Sequence, residues 1–278
     1  MTRISWLYDA SLAGVEHSPA TEQEAIARLD AGNAEFAGLD PGADEPHVHR
    51  VSADELGFGA VPGVAPTQAP FAAMLGCADA RAPLELVFMQ SANDLFAVRV
   101  AGNVLGAECV GSLDFAVENL SSVRLLAVVG HTGCGAVTAA VDAYLDPTTH
   151  LARSANLPLR AITDAILPAV RAGDRSLQQV HGPSVGDRPG FRAALIDTAV
   201  VIHAVSCAGT LAQLYGTRMG VVAGVYDLAS RTVGLPTARD GERSWRAGLA
   251  APPKDGDYRT ILADVASSQY VRTILDGA

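Results

Sequence analysis

Two short apolar runs each end in glycine followed by a potential metal ligand, and the second run carries a further cysteine three residues on. The first run gives Leu75-Gly76-Cys77, the second Val129-Gly130-His131-Thr132-Gly133-Cys134. Two thiolates and one imidazole are a ligand set for zinc, and three protein ligands leave a fourth position open for chemistry. Directly after the first cysteine comes Cys77-Ala78-Asp79-Ala80-Arg81, with a carboxylate and a guanidinium at alternate positions. In an extended segment these side chains would point to one side. Asp79 would then take the fourth position on a metal or accept a hydrogen bond from the group that does. Arg81 would hold Asp79 by a bidentate pair and keep it ionised. A second chemistry stays open on the same residues: a metal-free thiol hydrolase with Cys134 or Cys77 as nucleophile and His131 as base. Cys109 and Cys207 sit in helical apolar patterns and read as small core hydrophobes.

The elements that must position these groups are legible as continuous apolar runs. Phe71–Leu75, Leu95–Val100, Leu125–Val129 and Met219–Tyr226 are apolar without alternation, as strands covered on both faces require. Helical patterns lie between them, at Cys109–Leu120, Gly135–Leu145 and Phe191–Leu214. Strand and helix in alternation predict an α/β fold: a central, mostly parallel β-sheet flanked by helices. Ligands of such sheets gather at the carboxyl ends of the strands. If the strands before Cys77 and His131 are neighbours, Cys77, His131 and Cys134 converge on one point.

Around this body the chain divides into residues 1–67, an N-terminal arm and helix; 68–235, the catalytic α/β unit with an insertion at about 147–190 holding one helix; and 236–278, a C-terminal extension. Residues 1–20 read as an irregular arm. Thr21 caps a helix with Glu24 three residues on, and Ala25, Leu29 and Phe36 give it an apolar face. Residues 39–67, rich in Gly, Pro, Asp and His, read as a loop. The last twenty residues, from Thr260, fit a helix.

With 278 residues, 49% apolar and 18% charged, the chain has material for a substantial core. A formal charge of −10 lacks the basic face that a nucleic-acid partner requires and suits a small-molecule substrate. No stretch reads as a membrane span: the most apolar long segment, Thr198–Leu214, is interrupted by His203, Ser206 and Thr210. Met1–Tyr8 is too short and mixed for a signal peptide, so a cytoplasmic location is expected.

At these residues the sequence resembles the β-class carbonic anhydrase family. The family's C-x-D-x-R and H-x-x-C correspond to Cys77–Arg81 and His131–Cys134. Leu29, Gly32-Asn33 and Phe36 are similar to its L-x-x-G-N-x-x-F helix, and Gln68-Ala69-Pro70 to the segment before the first ligand. The run Asp94–Asn103 is similar to D-L-F-x-x-R-x-A-G-N, Gly111–Val117 to the helix between the ligand strands, and Gly224–Asp227 to G-x-x-Y-D on a late strand. The likeness covers about 21–145 and 190–235.

The resemblance implies zinc held by Cys77, His131 and Cys134, and reversible hydration of carbon dioxide to bicarbonate by a zinc-bound hydroxide that Asp79 and Arg81 orient. It implies Gln68, Phe96 and Gly135 as substrate-pocket residues, with Gln68 and Phe96 reaching across a dimer interface on which the N-terminal helix packs. It also implies a homo-oligomer built from dimers. Hydrolysis of carbonyl sulfide or carbon disulfide on the same site, and a non-catalytic zinc- or bicarbonate-binding role, are the alternatives. Three departures stand out. Ala78 and Ala80 replace serines, and Phe115 stands near a position where some members carry tyrosine. Met74 stands where members switched off by bicarbonate carry the tryptophan of a Trp–Arg–Tyr pocket; the other two have counterparts in Arg99 and Tyr226, so that switch is not expected here.

Overall fold

The computed structural model describes residues 4–9, 18–40, 42, 47–52, 65, 67–148, 157–237 and 245–277. A strand β1 (Ile4–Asp9) stands where an irregular arm was expected. It pairs in parallel with β2 (His47–Ser52), a strand inside the stretch read as a loop. Neither segment alternates polar and apolar residues, so their pairing left no periodic trace. Between them lies α1 (Glu22–Ala37). Its cap is as read: Thr21 Oγ1 accepts the Glu24 N–H at 3.2 Å. The return bond closes one residue upstream, from the Ala20 N–H to Glu24 Oε2 at 2.7 Å.

The body follows as β3 (Ala72–Gly76), the short α2 (Leu84–Val87), β4 (Leu95–Arg99), α3 (Ala107–Asn119), β5 (Leu125–His131) and α4 (Gly135–Leu145). Then come α5 (Leu157–His181), which lies in the expected insertion together with a 3-10 turn at Pro183–Asp187, α6 (Phe191–Tyr215) and β6 (Gly220–Tyr226). The chain goes on through β7 (Val233–Pro236), β8 (Trp245–Ala247), α7 (Arg259–Ser267) and α8 (Gln269–Leu275). The expected C-terminal helix is thus two, parted at Ser268, whose hydroxyl accepts the Val271 N–H and caps the second.

One sheet runs β4-β3-β5-β6-β7-β8, parallel from β4 through β6 and antiparallel beyond. Its central strands are apolar throughout because both faces are covered. Ala73, Leu75, Leu126 and Val128 join the core under α3 to α6. Their neighbours Ala72, Met74, Leu125 and Ala127 pack with Ala25, Leu29 and Phe88 from α1 and the α2 turn. Helix α6 lies in the first of these layers. By length and composition alone it is apolar enough to span a membrane, despite His203, Ser206 and Thr210. Packing accounts for its apolarity, since 83% of its most apolar window is buried inside the fold.

Gly32 and Asn33 seat α1. A Cβ at Gly32 would stand 1.9 Å from the Phe88 carbonyl oxygen. Asn33 donates through Nδ2 to the carbonyls of Val87 and Arg231, both at 3.1 Å, and its Oδ1 accepts the Val233 N–H at 2.7 Å. Gly32→Ala is therefore expected to destabilise the fold by at least about 1–3 kcal/mol. Chemical denaturation checks this, and an unchanged midpoint would contradict the seating of α1.

Candidate metal centre

The chain leaves β3 for β4 on one side and returns to β5 on the other, so the strand order switches direction at β3. A crevice opens at such a point beyond the strand ends. The register Gly76↔Val129 sets Cys77 beside Gly130, and His131 one residue further on. Cys134 follows after a turn in which Gly133 adopts φ +63°, a left-handed conformation that glycine takes without strain. The ligand atoms of Cys77, His131 and Cys134 lie within 4.8 Å of one another and all three residues are buried. The two sulfurs are 3.9 Å apart.

The surroundings suit a cation held by anionic sulfur. Cys77 Sγ accepts the Gly102 N–H at 3.3 Å and a backbone N–H from Asp79. Cys134 is the N-cap of α4, and the N–H groups of Ala136 and Val137 point at its sulfur. The Cys77 thiol is pulled well below the usual thiol range, first by its hydrogen bond with Cys134, against burial, then by His131 and the two backbone donors. Cys134 is pushed up by the same bond and by burial. Burial works to lower His131, but attraction to the Cys77 sulfur outweighs it and raises it. His131 Nδ1 faces the Thr132 carbonyl at 3.0 Å, which sets Nδ1 as the protonated nitrogen and leaves Nε2 a lone pair. That Nε2 is fully buried with no hydrogen-bond partner. An orphaned imidazole nitrogen facing two sulfurs fits a tetrahedral zinc set.

Asp79 and Arg81 meet as expected, but by a turn rather than an extended strand. The Ala82 N–H bonds to the Asp79 carbonyl at 3.1 Å, and the Arg81 N–H to Asp79 Oδ1 at 2.8 Å. The guanidinium then grips both oxygens, Nε to Oδ1 at 3.0 Å and Nη2 to Oδ2 at 2.7 Å. Arg81 thereby holds the Asp79 carboxyl well below the usual carboxylate range. Asp79 Oδ2 lies 3.7 Å from His131 Nε2. Gly135 opens α4, and a Cβ there would meet nothing within 4 Å, so the approach stays clear.

Gln68 and Phe96 are not brought to the cluster within one chain. Phe96 pairs with Ala73 in register, about 13 Å back along the strand from Cys77 at about 3.3 Å per residue. Its ring is half-buried, 6.3 Å from that of Phe115. Gln68 is exposed before the amino end of β3, the end opposite the cysteines. Met74 is fully buried, and Arg99 binds backbone, with Nε on the Cys77 carbonyl at 3.0 Å and Nη2 on that of Asp79 at 2.6 Å.

Several supporting residues escaped the sequence reading. Thr132 is anchored by Asp227, Oγ1 to Oδ1 at 3.1 Å, which steadies the carbonyl that orients His131. The Gly133 peptide is held from both sides, its N–H by Asp197 Oδ1 at 3.4 Å and its carbonyl by Arg81 Nη2 at 3.3 Å. Tyr270, in α8, donates to Asp197 at 2.7 Å. His203, in α6, donates through Nε2 to the Gly102 carbonyl at 3.0 Å, and the N–H of that residue faces Cys77. Thr132 and Asp227 lie in runs already singled out, but no local signal marks Asp197, Tyr270 or His203, because each acts across a long sequence separation.

Burial lowers His203 to about 4. The fold thus favours its neutral form, and below the unfolded value near 6.5 the unfolded chain takes the proton first. Stability from this group is complete above about pH 6.5 and falls by up to about 3 kcal/mol as pH drops to about 4. His203→Ala is expected to flatten that limb. It should also destabilise the protein by about 1–3 kcal/mol by orphaning the Gly102 carbonyl. Denaturation curves between pH 4 and 7 check both, and an unaltered acid limb would contradict the assignment.

Comparison with known proteins identifies similar sequences and folds. Carbonic anhydrase 2 of Mycobacterium tuberculosis is 40% identical over 116 residues, 41% of this chain and 52% of that protein. The carbonic anhydrase of Mycolicibacterium smegmatis is 43% identical over 76 residues, 27% of this chain and 36% of its own length. The chain thus spans about half the length, or less, of the curated relatives it matches. A solved structure of the Coccomyxa β-carbonic anhydrase in complex with acetazolamide aligns over 61% of this chain and 73% of that one, at 24% identity and a TM-score of 0.46. The family model for carbonic anhydrase matches residues 72–230, from the first residue of β3 to just past β6. That stretch takes in the strands that lead to Cys77 and His131 and more than half of the 278 residues, and on it the chain belongs to the β-class carbonic anhydrase family.

Proposed function

We propose that this protein catalyses the reversible hydration of carbon dioxide to bicarbonate and a proton, with zinc held by Cys77, His131 and Cys134. The observation that carries the reading is the buried, partnerless His131 Nε2 facing two sulfurs beside a carboxylate locked in place. Zinc bound there supplies a Lewis acid that makes water a competent nucleophile near neutral pH.

The chain's own groups do the rest. Asp79, kept ionised by Arg81, can accept a hydrogen bond but does not itself take a proton at neutral pH. It therefore aims the reacting oxygen's lone pair at the substrate carbon and leaves proton release to solvent. Arg81 ties Asp79 to the Gly133 carbonyl, so the carboxylate and the turn before Cys134 keep one geometry. The test is stopped-flow hydration of carbon dioxide across pH 6.5 to 9. Fast turnover that a zinc chelator abolishes is expected; zinc-loaded protein without turnover would overturn the reading.

Gln68 and Phe96 are substrate groups only if a second copy supplies them, and a dimer is part of the proposal. An Asp79→Asn chain and a Gln68→Ala chain, each impaired alone, are expected to restore activity when co-refolded. Half the dimers are then mixed, with one intact site each, which sets the recovery at about a quarter of the wild-type rate for a two-fold pair. No recovery in mixed dimers would place Gln68 outside the site.

A further inference from the structure

Among the described residues, a second group brings three metal-binding side chains together. Glu35, His47 and His49 place one ligand atom each within 4.8 Å of the others. From this we propose a second divalent transition-metal site, independent of the cysteines, that clamps the β1–β2 ribbon to helix α1.

The alternation of a strand puts His47 and His49 on one face of β2, with the exposed Val48 between them pointing away. Both imidazoles converge on a single oxygen of Glu35: His47 Nε2 at 2.7 Å and His49 Nδ1 at 3.4 Å from Oε1. An ordinary histidine–carboxylate pair needs one ring; two rings aimed at one oxygen leave one of them in excess. Ligands 2.0–2.1 Å from a tetrahedral ion stand about 3.3 Å apart, and the two distances bracket that value. The ligand atoms of His47 and His49 lie within 4.8 Å of each other. Trp6 of β1 meets the His49 ring edge-on at 4.6 Å between centroids and limits its rotation.

Two imidazoles and one carboxylate suit zinc, nickel or copper rather than calcium or magnesium, which prefer all-oxygen shells. Glu35 and His49 also line a cavity of about 230 Å³ beside α1, so the remaining coordination position has room for water. A two-stranded ribbon has little stability of its own. An ion bridging β2 to α1 would join the ribbon to a helix that Leu29 and Asn33 anchor in the body.

The test uses the tag-free full chain carrying one equivalent of zinc, with Ni²⁺ as the probe in calorimetric titration. We expect about one further equivalent per chain, with the dissociation constant raised at least about tenfold in the His47→Gln/His49→Gln double variant. Should that variant fold poorly, the imidazole NMR signals of the wild-type protein give a second reading. Ni²⁺ should broaden those of His47 and His49 ahead of the other five of the seven histidines. No further equivalent, binding unaltered by the double substitution, or uniform broadening of all histidines would each overturn the site.

Discussion

Cys77→Ser is expected to release the metal from the catalytic centre and take carbon dioxide hydration down to background. A serine hydroxyl does not ionise at neutral pH, so the position stops supplying an anionic ligand. The N–H groups of Gly102 and Asp79 then face a weak neutral acceptor. Zinc sites built from four side chains bind with about 10–16 kcal/mol, so losing one of three ligands is expected to weaken binding by at least about 10²-fold. Substitution with Co²⁺ gives the readout, since a thiolate–cobalt charge-transfer band reports this centre and not a histidine–carboxylate site elsewhere. A variant that keeps the full band after chelator dialysis, together with wild-type turnover, would remove Cys77 from the ligand set.

Asp79→Asn separates orientation from metal binding. The amide keeps the shape of the carboxylate but replaces one acceptor oxygen with a donor and cancels the charge that pairs with Arg81. The three hydrogen bonds from Arg81 to Asp79 cannot all survive. Turnover is expected to fall about 10²–10³-fold, the usual scale for removing one pre-organised hydrogen bond at a reacting centre. Metal content should not change, because Asp79 is outside the sulfur–imidazole cluster. The wild-type acid limb belongs to other groups, since Arg81 holds Asp79 ionised throughout the working range. Normal turnover, or loss of metal with turnover, would each contradict the orienting role.

The site was more legible in the sequence than its supports were. Gly76-Cys77 and Gly130-His131 each end a continuous apolar run, and such runs are local records of burial on both faces. The pairing of β3 with β5 makes neighbours of residues 53 positions apart, as in Gly76 with Val129, and so brings Cys77 to Cys134, 57 positions on. The Asx-type turn at Asp79 was less visible. Alternate spacing suggests an extended segment, whereas the Asp79 side chain caps its own backbone and folds Arg81 back. The β1–β2 ribbon was hidden because its strands carry mixed polar residues and pair across 43 positions, as in Ile4 with His47. Helix α6 is apolar on every side, a pattern that a lipid-facing and a core helix share, and its burial inside the fold makes it a core helix.

Period, caps and glycine-ended runs are short-range properties, written into neighbouring residues by sterics and burial. They specified the parallel strands, the helices between them, the Cys77, His131 and Cys134 candidates and the Asp79–Arg81 pair without reference to the rest of the chain. Contacts that close over long separations carry no such local signature. The hold of His203 on Gly102, of Asp197 and Tyr270 on Gly133, and the meeting of Glu35 with His47 and His49 came only from the folded chain. Packing decides which distant polar groups must satisfy one another, and no single stretch of sequence contains both partners.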